Sequence, residues 1–344
     1  MNPLVELINN SGYDIYFLVV DKHLDINLPE LKYFYKIYLP VNEIKNSGHL
    51  LSLPSVQKFI KENSQKNSHL PAILPFKSSA KINWITNNNG WLNLSNPPAL
   101  TRFLENKIKF YQFCQQEKLP VIPSQIDKFN RENFNHYFQG KTGVIQTSFG
   151  WAGNSSFLVK NFREVENKIP QGAIVKYSPY LRGKTYINNC CLTRFGLLQS
   201  PPARQLTGLK AYTPNPLTTV GRVWPSGLSF NQITKLTELT NQFGQSLAKF
   251  HYRGYFGLDF QISQGQIFIL ECNPRLTASF AFYHLLERKK HLNSLLYFHL
   301  LEWLDLDYHF DFKHEQARWL VPIHGRELTP RDQNNQIIKK INEI

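Results

Sequence analysis

The stretch GLDFQISQGQIFILECNPRLTAS, residues 257–279, constrains the fold more than any other. Two apolar runs flank a Gln-Gly pair, the pattern of a buried β-hairpin. Yet it carries Asp259, Glu271, Asn273 and Arg275 among Leu, Phe and Ile. Side chains alternate faces along a strand, so Gly257, Asp259 and Gln261 share one face of the first strand. Ile267, Ile269, Glu271 and Asn273 share one face of the second. Register decides whether the carboxylates meet. A two-residue Gln264-Gly265 turn sets Asp259 against Leu270 and turns the carboxylates apart. A three-residue loop, Ser263-Gln264-Gly265, places glycine in the left-handed third position and pairs Asp259 with Ile269 and Gly257 with Glu271. That register is the one expected here. It makes Asp259 and Glu271 diagonal neighbours, about 7–8 Å apart at the backbone.

Two buried carboxylates this close repel unless a cation or a proton neutralises one of them. Asp259, Glu271 and Asn273 form an oxygen-only donor set, which suits Mg²⁺ held jointly with phosphate. Arg275 shares their face if the strand continues, and a guanidinium there could meet phosphate charge. The plain alternative is a surface hairpin with a wet polar face.

The chain has 344 residues, enough for two or three domains or subdomains with cores. Hydrophobic residues make up 42% and charged residues 19%, a globular balance. No apolar run reaches membrane-spanning length, and the N-terminus lacks a signal-peptide pattern. The cysteines are Cys114, Cys190, Cys191 and Cys272, with no metal-ligand spacing. They read as core thiols of a cytoplasmic protein, with Cys190 and Cys191 on opposite faces of one strand. The formal charge of +14 is scattered, which argues against sequence-specific nucleic-acid binding and allows a local basic pocket for a small anionic ligand.

Along the first hundred residues, runs at 14–21, 36–40, 72–76 and 81–86 read as strands, with a helix opening near Ser55. This βαβ texture predicts a parallel sheet. No GxGxxG follows the first strand, so this is not a dinucleotide domain. Asn96-Pro97-Pro98 marks a boundary, and a helix is expected over 99–118. Strands are expected at 144–147, 156–159, 173–177 and 186–200, then a long loop over 201–228. The spacing predicts a helix over 230–252, capped by Ser229 with Gln232 and stopped near Gly254. Another is expected over 280–305, followed by about 35 mixed residues, of which the extreme end is expected to be poorly tied down. His251 and His284 read as structural.

The hairpin resembles the last motif of the ATP-grasp superfamily, a strand ending in Asp, a turn, a second strand and Glu-x-Asn-x-Arg; here it stands as FGLDF and ILECNPR. The resemblance covers roughly residues 96–305. It implies Asp259, Glu271 and Asn273 as Mg²⁺ ligands and Arg275 at the phosphates. It also places Lys107 at a nucleotide phosphate, where Asn106-Lys107 stands for the family's Asp-Lys. The loop SFGWAGNSS, 148–156, is similar to the family's flexible Gly-rich loop, with Gly150 and Gly153 admitting phosphate to backbone N–H groups. The run IVKYSPYLRG is similar to the adenine hinge, with Tyr180 and Leu181 at the contact. The sequence departs from the family at Gln146, where a phosphate-binding lysine is usual, and at Gly183-Lys184-Thr185, where an acidic ribose contact is common. Lys176 and Lys184 are the candidates to restore the lost charge.

The resemblance implies an α/β and α+β architecture: an N-terminal Rossmann-like pre-ATP-grasp domain over 1–98, a two-subdomain ATP-grasp fold over 99–305 and a C-terminal extension over 306–344. The nucleotide would be clamped between subdomains of about 120–180 and 181–305. It implies ATP and Mg²⁺, with Mn²⁺ as an alternative. The activity it implies is an ATP-dependent carboxylate–amine ligase acting through an acyl phosphate. Its substrates would be small-molecule or peptide carboxylates and amines, and a homodimer is compatible with this. A bicarbonate-activating carboxylase-like subunit and a non-catalytic ATP-binding regulatory module remain as alternatives.

Overall fold

The computed structural model describes residues 2–38, 46–150, 155–333 and 336–344. Its N-terminal part is a parallel sheet of order β2-β1-β3-β4, formed by β1 (Tyr13–Leu18), β2 (Phe34–Ile37), β3 (Leu70–Pro75) and β4 (Leu92–Asn93). The helix Pro54–Asn67 connects β2 to β3 in the expected βαβ manner. One expectation fails here. Residues 81–86 are not a strand but lie within the helix Ala80–Asn89. Ile82, Ile85 and Thr86 are buried at helical spacing, the Ser79 side chain caps the start, and Gly90 takes the left-handed conformation (φ 66°) that ends it.

A second, antiparallel sheet runs β5-β8-β6-β7, from β5 (Gln125–Lys128), β6 (Gly143–Thr147), β7 (Ser156–Val159) and β8 (Ile174–Pro179). It carries a small core of its own around Phe129, Phe134, Ile145 and Val175.

The third sheet has eight strands and is antiparallel throughout. It contains β9 (Lys184–Thr193), β10 (Gly196–Gln199), β11 (Ala203–Thr207), β12 (Thr219–Trp224), β13 (Gly254–Ser263), β14 (Gln266–Asn273), β15 (Gly325–Leu328) and β16 (Ile341–Glu343). Its order is β14-β13-β9-β11-β12-β15-β16, with β10 also paired to β9. The loop expected over 201–228 therefore holds two strands, β11 and β12. Pro201 and Pro202 hide this in the sequence, because they cannot donate to a ladder and break the run between β10 and β11. The C-terminal stretch supplies β15 and β16 to the sheet, so the extreme end, expected to be loosely tied, is paired through β16. The stretch is further fixed by Arg318, fully buried and paired with Glu287 and Glu315.

Two expected long helices are each broken. The first divides into Pro98–Glu105 and Lys107–Gln116 because Asn106 turns to cap the second segment, accepting from the N–H groups of Ile108 and Lys109. The second divides into Phe280–Lys289 and Leu295–Trp303, with Ser294 as the cap. The helix Phe230–Ala248 carries the predicted capping box but stops short of Gly254, which instead opens β13.

Both faces of the eight-stranded sheet are covered. On one face Cys190, Phe256, Leu258 and Phe260 pack with Leu236 and Phe243 of the helix Phe230–Ala248. On the other, Ile187, Cys191 and Tyr255 join Leu295 and Phe298 and, through them, Phe17 and Leu74 of the N-terminal sheet. Cys190 and Cys191 thus lie in different cores, as strand alternation requires. All four cysteines are free and buried. No described helix is long and apolar enough to cross a membrane.

His299 ties these layers together. Its Nδ1 accepts from the Tyr255 N–H (3.0 Å) and its Nε2 faces the Leu94 carbonyl (3.2 Å), which specifies the neutral ring with hydrogen on Nε2. Burial lowers His299 to about 4 and His284 to about 4. An ordinary histidine titrates near 6.5, so this stability is present above about pH 6.5 and is lost as pH falls through about 4. Each ring contributes on the order of 3 kcal/mol to the acid sensitivity. Urea melts between pH 7.5 and 4.5 should show it, and His299→Gln should flatten the dependence; identical midpoints for both proteins would refute this role.

Candidate functional site

The hairpin β13–β14 reaches its polar face by a route other than the expected one. Ser263 pairs with Gln266, so the turn is the two-residue Gln264-Gly265 form, both residues at positive φ (48° and 78°). The three-residue loop is therefore wrong. In a regular ladder this turn would set Asp259 against Leu270, but a β-bulge intervenes: Phe260 pairs with Ile269 and Asp259 with Glu271. Leu270 is the extra residue. The bulge reverses the alternation, so that Ile267, Ile269 and Cys272 are buried in one core while Glu271 and Asn273 face the other way. Asp259 and Glu271 are direct cross-strand partners, and Gly257 stands opposite Asn273.

Asp259 is 9% exposed. Its Oδ2 accepts from Gln205 Nε2 on β11 (3.1 Å), and its Oδ1 is buried without a partner. Glu271 keeps 38% of its side chain exposed, and its Oε2 lies 2.7 Å from Lys107 Nζ. The ammonium of Lys107 holds Glu271 below the usual carboxylate range. Burial, with Glu271 alongside, pushes the Asp259 carboxyl above the usual carboxylate range. One pair of like groups thus has two environments.

Lys107 opens its helix, so it stands where the Asn106 cap leaves it, and its backbone N–H donates to the Ser148 carbonyl at the start of the Gly-rich loop (2.9 Å). Lys176 comes from β8, directly opposite Gln146 on β6. It is 8% exposed and lies 5.3 Å from the Tyr111 ring centroid. Burial, with Lys107 nearby, lowers it to about 8. Gln146 donates to Ser156 across β6–β7 (2.8 Å). Lys184 is exposed at the start of β9, opposite Ile262. Lys107, Lys176 and Glu271 therefore converge from a helix, the smaller antiparallel sheet and the large sheet.

Gly150 closes the loop tightly, since a Cβ there would sit 2.1 Å from Ser155 Cβ. Gly153 lies outside the described residues. In the hinge, the Tyr180 N–H donates to the Thr142 carbonyl (3.3 Å) and its ring is partly exposed. The Leu181 carbonyl accepts from Gln261 (2.6 Å). Arg275 follows the end of β14. Its Nη2 donates to Asn273 Oδ1 (3.0 Å), Nη1 to the Leu276 carbonyl (2.9 Å) and Nε to Glu105 (3.3 Å), and it stacks over Phe76. In this arrangement it braces Asn273.

Gln205 and Glu105 were not found by sequence reasoning. Gln205 lay in the stretch read as loop, and nothing in the sequence ties Glu105 to Arg275. Among the described residues, no three His, Cys, Asp or Glu side chains form a metal cluster. A cation at the hairpin would rest on Asp259, Glu271 and Asn273. The unpartnered Asp259 Oδ1 and the oxygen-only set fit a hard divalent ion that takes its remaining ligands from elsewhere.

A family model described as an ATP-grasp domain matches residues 104–279, just over half of the chain. The chain belongs to the ATP-grasp family. No curated protein matches it in sequence. Among solved structures it resembles biotin carboxylase of Campylobacter jejuni in complex with β,γ-ATP, with a TM-score of 0.65 at 13% identity over 95% of this chain and 72% of that one. It resembles N5-carboxyaminoimidazole ribonucleotide synthetase of Thermotoga maritima, with a TM-score of 0.59 at 14% identity over 92% and 80%. It also resembles the biotin carboxylase domain of Hydrogenobacter thermophilus 2-oxoglutarate carboxylase, solved with MgADP, ADP and bicarbonate, with a TM-score of 0.61 at 10% identity over 95% and 71%. At these identities the likeness is one of fold. Family and fold agree with ATP and Mg²⁺ as the expected cofactors.

Gly257 lets the two strands and the next turn close on the carboxylates. A Cβ there would stand 2.4 Å from Thr277 Cγ2. Gly257→Ala should destabilise the protein by ~1–3 kcal/mol. A melting temperature equal to wild type would show that Thr277 yields without cost.

Proposed function

We propose that this chain is an ATP-dependent ligase that activates a substrate carboxylate as an acyl phosphate and joins it to an amine or another nucleophile. The observation that carries this reading is the meeting of Lys107 with the Asp259–Glu271 pair, with Lys176 beside them. Phosphoryl transfer needs positioning and charge neutralisation more than a covalent side chain, and these are the groups that supply both. Lys107 and Lys176 would hold phosphate oxygens. Asp259, Glu271 and Asn273 would hold Mg²⁺, which when bound neutralises phosphate charge. Arg275 keeps Asn273 in place. Gly150 lets the loop backbone approach, and Tyr180 and Leu181 would border the base. The charge absent at Gln146 is matched by Lys176 on the adjoining strand, whereas Lys184 points to solvent.

The test is release of ADP and phosphate from MgATP with pooled carboxylic acids and amines, with bicarbonate as a separate arm. Glu271→Gln should weaken Mn²⁺ binding, read by electron paramagnetic resonance, by at least ~10-fold. Lys107→Met should lower turnover by about 100-fold. Unchanged turnover in Glu271→Gln would sink the site assignment, and turnover with bicarbonate alone would move the reading to a carboxylase-like subunit.

A further inference from the structure

Glu105 breaks two local rules. It is the last residue of the helix Pro98–Glu105, an end at which the helix dipole favours a cation and opposes a carboxylate. Its side chain is only 15% exposed, so it has also given up most of the water that would solvate the charge. Two cations answer this. Arg275 Nε donates to Oε1 (3.3 Å), and Lys77 Nζ lies 2.5 Å from Oε2. Lys77 is half exposed and has water available to it. Arg275 keeps only 8% of its side chain exposed, and among the described residues Glu105 is the one carboxylate within ion-pair distance of it. A group that violates its local preferences and is compensated by long-range partners marks a place where function sets the sequence.

The remaining nitrogens of Arg275 are engaged at the end of the hairpin. Nη1 donates to the Leu276 carbonyl (2.9 Å) and Nη2 to Asn273 Oδ1 (3.0 Å). With Glu105 on its Nε edge, the planar fork has one setting. The bond from Nη2 decides which end of the Asn273 amide is oxygen. It occupies one of that oxygen's two lone pairs and leaves the other for a cation. Residues 105–107 thus grip the hairpin at two points. Lys107 pairs with Glu271 (2.7 Å), Glu105 pairs with Arg275, and between them Asn106 breaks the helix so that both can reach. Opposite charges at 105 and 107 match opposite charges at 275 and 271.

We propose that Glu105 is a positioning residue of the cation site: acting through Arg275, it holds the Asn273 amide with its oxygen presented, and so sets the affinity for a divalent ion that it does not touch. The inference rests on the metal assignment made under the proposed function. Mn²⁺ binding to the full chain, read by electron paramagnetic resonance in the presence of a non-hydrolysable ATP analogue, tests it in a mutant cycle. Glu105→Ala should weaken Mn²⁺ binding by about 10-fold, the usual cost of losing a group that orients a ligand. In an Asn273→Ala background the same change should cost less than about twofold, because the ligand it positions is already gone. A merely structural role would lower the urea midpoint and weaken Mn²⁺ binding equally in both backgrounds, or not at all; either result overturns the proposal. If Glu105→Ala fails to fold by circular dichroism, Glu105→Gln, which keeps the size and removes the charge, decides by the same two comparisons. Glu271→Gln is the control that separates the two readings. If it weakens Mn²⁺ binding and Glu105→Ala does not, the positioning role alone falls. If it binds Mn²⁺ as wild type does, the metal assignment falls and takes this inference with it.

Discussion

Two carboxylates set side by side across a hairpin are costly, and the surroundings of Asp259 and Glu271 answer that cost. Lys107 neutralises Glu271, Gln205 satisfies one oxygen of Asp259, and burial keeps the other oxygen of Asp259 poised. Each of these helpers is placed by a separate element. Lys107 depends on Asn106 breaking a helix; Gln205 depends on β11 joining β9; the carboxylates depend on the bulge at Leu270. Remove the demand for a common polar face, and those irregularities lose their purpose.

The large sheet can carry such a face because each of its sides is covered by different helices. The helix Phe230–Ala248 seals one side with phenylalanine and leucine. The other side is shared between the helices after residue 279 and the N-terminal sheet. The C-terminal strands extend this same face, so Glu327 and Lys340 belong to it as fully as the hairpin does.

Much of this was legible in the sequence where one local signal dominated. The Ser229–Gln232 box marked its helix, short apolar runs marked β1, β3 and β8, and the order of motifs pointed to the family. Legibility failed where two signals competed. Residues 81–86 alternate well enough to suggest a strand, yet Ser79 and Gly90 cap a helix around them. Pro201 and Pro202 disguised β11 as loop. At the hairpin, the membership of one face was read correctly for Asp259, Glu271 and Asn273 but for the wrong reason. The sequence suggests a longer turn to align them, whereas a short turn and a bulge do so, and a bulge leaves no local signature in ILECN. Contacts such as Arg275 with Glu105 and Arg222 with Glu327 join residues more than a hundred positions apart, and no periodicity announces them.

The adjacent pair Cys190 and Cys191 carries a practical consequence. Burial holds both thiols un-ionised, each in a different core. Their modification by a thiol reagent would therefore time two separate openings from neighbouring positions of one strand. Cys190 would become reachable when the helix Phe230–Ala248 lifts, and Cys191 when the helix Leu295–Trp303 does. β9 is in that sense a pair of clocks, able to tell whether the two layers of the protein breathe together or apart.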